Sequence, residues 1–308
     1  MTMTNDAAAG APPCPVCGTR GRRHAVYKLR AFDVVECASC GALQRDPLPS
    51  AAEMEGYYSD PRYIEGGYFA DGAGDRAGDG PEVEIFRQAL DFLATRRVAR
   101  GLPRTGRLLD VGAGAGGFLE LARRHGWQAD GVELSPQLAA RAAARSGARV
   151  VHGDFAGDLA AAELCGGAYD AVTMWDVLEH TVDPGAVLDR ARTLLAPDGV
   201  LIVLTIDAAS LFNTVADIAW RLTRHRLASP LELLYDKRHN HYFTARTLVA
   251  LLGRHGLRVE HAETHRAHLG RWLSEPASRA VLVGAEIVDL LSVPLGRPYR
   301  QLLYSVAS

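Results

Sequence analysis

Leu108-Leu109-Asp110-Val111-Gly112-Ala113-Gly114-Ala115-Gly116-Gly117-Phe118-Leu119 is the stretch whose reading decides the fold. Leu108, Leu109 and Val111 form a short apolar run that suits a buried parallel strand. The glycines that follow carry no Cβ, so the backbone can turn tightly and approach a ligand. Phe118, Leu119, Leu121 and Ala122 then recur at helical spacing, so the loop opens a helix whose free N–H groups face a polar ligand. A strand, a glycine loop and a helix in this order predict a nucleotide-like ligand at the loop. Gly112, Gly114 and Gly117 also satisfy G-x-G-x-x-G, so spacing alone leaves a dinucleotide reading open.

The flanks favour a different ligand. Asp110 stands at the end of the strand, where dinucleotide folds carry an apolar residue. Glu133 ends the next apolar run, G-V-E-L, at roughly the 20-residue distance that suits paired ribose hydroxyls. After His152-Gly153, Asp154 and Phe155 sit at the carboxyl end of a third strand, where ligands bind in such sheets. Further on comes Trp175-Asp176-Val177-Leu178-Glu179-His180-Thr181-Val182-Asp183-Pro184. Together these motifs, over Thr105 to Glu260, resemble the class I S-adenosylmethionine-dependent methyltransferases, the ubiquinone-pathway O-methyltransferases among them. That resemblance implies a cofactor site formed by Asp110, Gly112, Gly114, Gly116, Glu133, Leu134, Asp154, Phe155 and Trp175. Asp110 would lie near the methionine moiety, Glu133 at the ribose, and Asp154 with Phe155 at the adenine. Ala113 departs from the family, where cysteine is common, at a position that contributes mainly backbone.

The implied fold is α/β: a Rossmann-like, doubly wound, mostly parallel seven-stranded methyltransferase sheet with an N-terminal zinc ribbon and a helical lid insertion. Alternating apolar runs and helical patterns support it, including a helix at Pro136–Ser146 and strands at Ala148–Val151 and Tyr169–Met174. Expected domains are a ribbon over 1–48, an aromatic linker and N-terminal helix over 49–103, and the methyltransferase domain over 104–308. Within the last, 207–239 is the lid and 265–300 a helical insertion before the final strand.

Four of the five cysteines define the ribbon. Cys14 and Cys17, then Cys37 and Cys40, form two C-x-x-C-G turns with 19 residues between the pairs. That spacing presents four thiolates to one structural Zn2+. Cys165, alone beside two glycines, reads as an incidental loop residue. In the linker, Tyr58, Tyr63 and Tyr68 read either as packing or as part of the active site, and Ala70–Gly80 as a loop rich in glycine and aspartate.

Asp176, Glu179 and His180 occupy positions i, i+3 and i+4 of an expected helical turn, so their side chains converge. Sixty residues on, R-H-N-H-Y-F places His239 and His241 on one side of an extended segment. These residues predict the catalytic group Asp176, Glu179, His180 and His241. By resemblance to relatives with an E-x-x-E-H run and a later histidine, they could hold a divalent ion, Mg2+ or Mn2+; aspartate at the first position is a departure. Without metal, His180 or His241 serves as general base for a hydroxyl or enol acceptor.

Composition bounds the function. The 308 residues carry a formal charge of −2, with 48% hydrophobic and 23% charged, an ordinary balance for a globular enzyme. That charge gives no general pull toward nucleic acid, so no stable nucleic-acid partner is expected. Met1–Pro13 lacks the shape of a signal peptide and no apolar run reaches a membrane span, so a cytoplasmic location is expected. The expected partner is a small-molecule acceptor. Leu211–Leu222 has an apolar helical face, read as a lid, a membrane-surface helix or plain packing; Ala277–Leu291 shares that choice or forms a homodimer contact. RNA methylation aided by the ribbon, and an inactive zinc-ribbon interaction module, are the alternative functions.

Overall fold

A computed structural model describes residues 13–60, 64, 81–157, 164, 168–267 and 279–308. Tyr63, Tyr68, Cys165 and the Ala70–Gly80 loop lie outside the described residues. In chain order the elements begin with β1 (Arg23–Lys28), β2 (Asp33–Cys37), β3 (Leu43–Asp46), α1 (Ala51–Tyr58) and α2 (Pro81–Ala99). They continue as β4 (Arg107–Val111), α3 (Gly117–Arg124), β5 (Gln128–Glu133), α4 (Pro136–Ser146), β6 (Arg149–His152) and β7 (Tyr169–Trp175). A 3-10 turn (Leu178–His180) leads to α5 (Pro184–Leu194), β8 (Leu195–Ile206), α6 (Leu211–Leu222) and α7 (Ser229–Leu234). Last come β9 (His241–Tyr242), α8 (Ala245–Arg254), β10 (Leu257–His265), α9 (Arg279–Ser292) and β11 (Arg300–Ala307).

The large sheet has seven strands in the order β10-β11-β8-β7-β4-β5-β6, and β7, β4, β5 and β6 run parallel. Chain order reverses beside β4, which is the switch point where doubly wound sheets bind ligands. The central strands are apolar on both faces: Leu108, Leu109, Ala171, Val172 and Met174 have no exposed surface. Helix ends follow local chemistry. Ser135 caps α4 with Pro136 at its first position, Thr244 caps α8, and Ser50 closes a capping box with Glu53 on α1.

The expected domain boundaries run in sequence order, whereas the compact units interleave. One comprises the described residues of Met1–Pro49, Asp176–Gly185 and Leu204–Leu303; the other comprises those of Ser50–Trp175, Ala186–Val203 and Tyr304–Ser308. The first unit contains a second sheet, β1-β2-β3-β9, in which three ribbon strands pair with a strand from two hundred residues later. Its core joins Tyr27, Phe32 and Val34 of the ribbon to Leu231, Leu234, Tyr235 and Tyr242. In the same unit α6 and α9 pack together and leave Ile218, Leu222, Ile287 and Leu290 half or more exposed. Among the described residues no helix is long and apolar enough to cross a membrane.

Candidate functional site

The glycine loop is shaped by backbone geometry. Gly112, Gly114 and Gly116 all have positive φ, a region that side chains with a Cβ avoid. At Gly116 a Cβ would come within 2.7 Å of the Ala142 Cα, so α3 and α4 approach too closely for any other residue. No side chain caps α3, whose first N–H groups remain open toward the loop.

Glu133, at the end of β5, is only 6% exposed and ties this loop together. One carboxylate oxygen accepts the Gly114 N–H at 2.8 Å, and the other accepts the Ser135 N–H at 2.9 Å. Burial raises its pKa, and these N–H groups oppose the rise. Asp110, 1% exposed, accepts the Thr173 hydroxyl at 2.7 Å. Burial pushes its pKa up to about 8 against that bond. Leu134 lends its carbonyl to the His152 ring at 3.1 Å, which holds the ends of β5 and β6 together. Asp154 is exposed and accepts the Ala156 N–H at 3.2 Å, so it shapes its own turn, while Phe155 beside it is buried. Trp175 packs in an aromatic group, tilted against Phe86 at 4.7 Å and edge-on to Phe118 at 4.9 Å, and its indole N–H is buried without a partner. Phe86 lies on α2, and no local motif in the sequence ties it to this group.

In the other unit the expected quartet is rearranged. Asp176 does not share a helical face with Glu179 and His180, because only Leu178–His180 is helical and Asp176 has φ +53°. Its carboxylate forms an ion pair with the buried Arg300. Arg300 lies 124 residues away, and no local signal in the sequence ties the two together. His241 does not join the cluster either. It belongs to β9, where it pairs with Gln44 of β3 and stacks on Phe243 at 5.8 Å. His239 takes that place, with its ring 4.6 Å from that of His180.

Glu179, His180 and His239 each offer a ligand atom, and these atoms lie within 4.8 Å of one another. Glu179 has no exposed surface and neither of its oxygens accepts a hydrogen bond; the Thr205 hydroxyl favours ionisation without completing one. Burial, then the Asp176 charge, pushes its pKa up to about 8. His180 holds Nδ1 at 3.0 Å from the Arg238 carbonyl, which requires a proton on Nδ1 and leaves Nε2 as the basic nitrogen. Burial lowers the His180 pKa, while burial and the neighbouring His180 bring His239 down to about 3. A carboxylate without donors beside two neutral imidazoles fits a divalent cation.

The cysteines converge as expected. Cys14 and Cys40 place their sulfurs 3.7 Å apart, Cys17 and Cys37 3.8 Å apart, and all four lie within 4.8 Å of one another. A tetrahedron with Zn–S bonds of about 2.3 Å has edges of about 3.8 Å, so the sulfurs fit one zinc ion. Gly18 and Gly41 turn each knuckle with positive φ, their N–H groups donating to the carbonyls of Cys14 and Cys37.

A family model described as a methyltransferase domain matches residues 83–262, more than half of the chain. Ubiquinone biosynthesis O-methyltransferase of Xanthomonas campestris pv. campestris (strain B100) is 35% identical over 136 residues, 42% of this chain and 54% of that enzyme. The chain thus matches about half the length of this curated relative. Among solved structures, magnesium protoporphyrin IX methyltransferase from Synechocystis PCC 6803, with bound SAH, superposes with a TM-score of 0.51 at 18% identity. The likeness covers 84% of this chain and all of that one. Geranyl diphosphate C-methyltransferase from Streptomyces coelicolor A3(2) gives 0.51 at 15% identity, over 83% and 97% of the two chains. At these identities the solved structures speak for the fold alone.

Proposed function

The chain belongs to the methyltransferase-domain family, and on that premise we propose that it transfers the methyl group of S-adenosylmethionine to a hydroxyl of a small-molecule acceptor. The observation that carries the reading is the buried Glu133 carboxylate, which braces the glycine loop at the switch point beside β4. S-adenosylmethionine supplies a methyl already activated on a sulfonium, and a divalent ion would supply Lewis-acid activation of the acceptor hydroxyl. Everything else falls to the chain's own residues.

Glu133 faces the ribose hydroxyls with its remaining lone pairs, and Asp110 lies toward the methionine end. Asp154 and Phe155 bind the adenine, and Phe86, Phe118 and Trp175 exclude water around the cofactor. His180 holds its ring on the Arg238 carbonyl, and in the ion-free site its neutral Nε2 takes the acceptor's proton. Glu179, His180 and His239 would hold the divalent ion, with Asp176 engaged by Arg300. The thiolates of Cys14, Cys17, Cys37 and Cys40 would hold a structural zinc. The lid helices α6 and α7 select the acceptor, and their exposed apolar residues suit a largely apolar compound.

Calorimetry with S-adenosylmethionine and NAD, followed by mass spectrometry of phenolic acceptors incubated with methyl-labelled cofactor, tests the proposal. The expected result is sulfonium binding and a labelled methyl ether whose yield falls with a chelator too weak to strip thiolate-bound zinc and returns with Mg2+ or Mn2+. NAD binding without sulfonium binding overturns the reading. A chelator-resistant reaction removes the divalent ion and leaves His180 as an unaided base.

A further inference from the structure

The ribbon does more than carry a metal. Its strand β3 pairs with β9, Leu43 opposite Tyr242 and Gln44 opposite His241, beginning two residues after His239. Arg45 donates its backbone N–H to the Asn240 carbonyl at 2.9 Å and a guanidinium N–H to the Lys237 carbonyl at 2.6 Å. Asn240 has no exposed surface. It donates its backbone N–H to the Glu179 carbonyl at 2.8 Å and its Nδ2 to the His180 carbonyl at 2.7 Å. One residue on either side of His239 is therefore clamped, and the clamp runs from ribbon to acidic turn.

A second set of bonds ties the cysteine knuckles to the same segment. Arg246 of α8 donates to the Cys40 carbonyl at 2.9 Å, and Arg254 at the other end of that helix donates to those of Cys14 at 3.4 Å and Pro15 at 3.3 Å. Both arginines use the space left by the knuckle glycines. A Cβ on Gly18 would come within 2.5 Å of the Arg254 guanidinium, and one on Gly41 within 2.9 Å of that of Arg246. The knuckles, β3 and the segment from Lys237 to Arg254 thus hold one another in place.

We propose that the metal-bound ribbon positions His239 against Glu179 and His180, with Arg45 and Asn240 as the positioning residues. The proposal rests on the reading of Glu179, His180 and His239 as the groups that activate the acceptor. His239 lies sixty positions after Glu179, and Asn240 bonds the two segments together beside the bond from His180 Nδ1 to the Arg238 carbonyl. Loss of the zinc loosens the Cys40 and Cys14 carbonyls, then β3, and so frees His239 to leave its partners. A misplacement of about 1 Å suffices to lower turnover by roughly 10²-fold.

The test uses the full chain labelled with 15N-histidine. Long-range 1H–15N spectra report each imidazole's tautomer and surroundings, and His180→Gln and His239→Gln assign the signals. Arg45→Met and, separately, Cys40→Ser are then compared with the parent, with zinc content and S-adenosylmethionine affinity measured on the same samples. The expected result is a shift of the His180 and His239 signals in both variants, zinc lost only in Cys40→Ser, cofactor affinity unchanged, and signals restored in Arg45→Lys. Arg45→Met leaves every thiolate in place, so it decides the matter even where Cys40→Ser fails to fold. Unmoved His180 and His239 signals in Arg45→Met overturn the proposal. Absence of sulfonium binding in the parent protein overturns the methyltransferase reading instead, and the ring signals still decide this one.

Discussion

Glu133 ends one parallel strand and Glu179 follows another, both buried, yet their surroundings are opposite. Glu133 accepts two backbone N–H groups, one from the glycine loop it supports and one from the start of the next helix. Glu179 accepts none, and the charge of another carboxylate, Asp176, adds to burial in raising its pKa. A buried carboxylate with donors is a brace; one without donors carries an unmet desolvation cost that a proton or a cation relieves. The first arrangement suits a site built in advance for a polar ligand. The second suits a site completed by what binds there.

The sharpest way to break this contrast is His239→Ala, with turnover followed by transfer of labelled methyl. The rate should fall by about 10²-fold or more while calorimetric cofactor affinity stays the same. An equal loss of cofactor affinity would mean that the two regions do not divide the work. Glu133→Ala should do the reverse. It removes charge-assisted hydrogen bonds worth about 1.5–3 kcal/mol, so cofactor affinity should drop roughly ten- to hundredfold. Unchanged affinity would leave Glu133 as a brace only.

Glu179→Gln probes stability rather than binding. The folded pKa near 8 lies above the unfolded value of about 4.3, so the folded state holds the extra proton. Wild-type stability is therefore free of the penalty below pH ~4.3 and loses ground as pH rises toward 8. Relative to it, the Gln variant should gain stability over that window, by about 1–4 kcal/mol in denaturant titrations. Added Mn2+ should stabilise the wild type and not the variant. A variant that is less stable at pH 8 would place hidden donors at Glu179. His241 offers the smallest effect, with the opposite sign. Burial lowers its pKa to about 4, beneath the unfolded value of about 6.5, so its contribution is intact above pH ~6.5 and lost as pH falls toward 4. His241→Gln should flatten that acid limb by about 1–3 kcal/mol, and an unaltered limb assigns it to other groups.

The strand, glycine loop and helix start were legible in the sequence because their determinants are local. Strand, positive-φ glycines, helix start and the acid ending the next strand all lie between Leu108 and Ser135, and each has a residue-level signature. The cysteine pairs were legible for the same reason, since tetrahedral thiolate ligation imposes a spacing. The expected quartet does not assemble as a whole. Glu179 and His180 lie together, but a helical turn expected from Asp176 onward is a left-handed residue followed by a short 3-10 turn, which sends Asp176 to Arg300. His239 and His241 are equivalent by periodicity, because both lie on one side of an extended strand. Strand β3 decides between them by pairing with His241 and so holding it in a sheet.

By itself, then, the sequence determined the parallel sheet, the glycine loop, the carboxylates that flank it and the four sulfur ligands. Each depends on interactions among residues a few positions apart or on a covalent spacing. Only the tertiary structure decided that Arg300 engages Asp176, that His239 meets Glu179, and that the ribbon shares a sheet with the segment carrying that histidine. Those contacts join residues 60 to 200 positions apart. The core of Tyr27, Tyr235 and Tyr242 joins the two ends of the unit, and hydrophobic burial carries no directional mark in the sequence that would announce its partner.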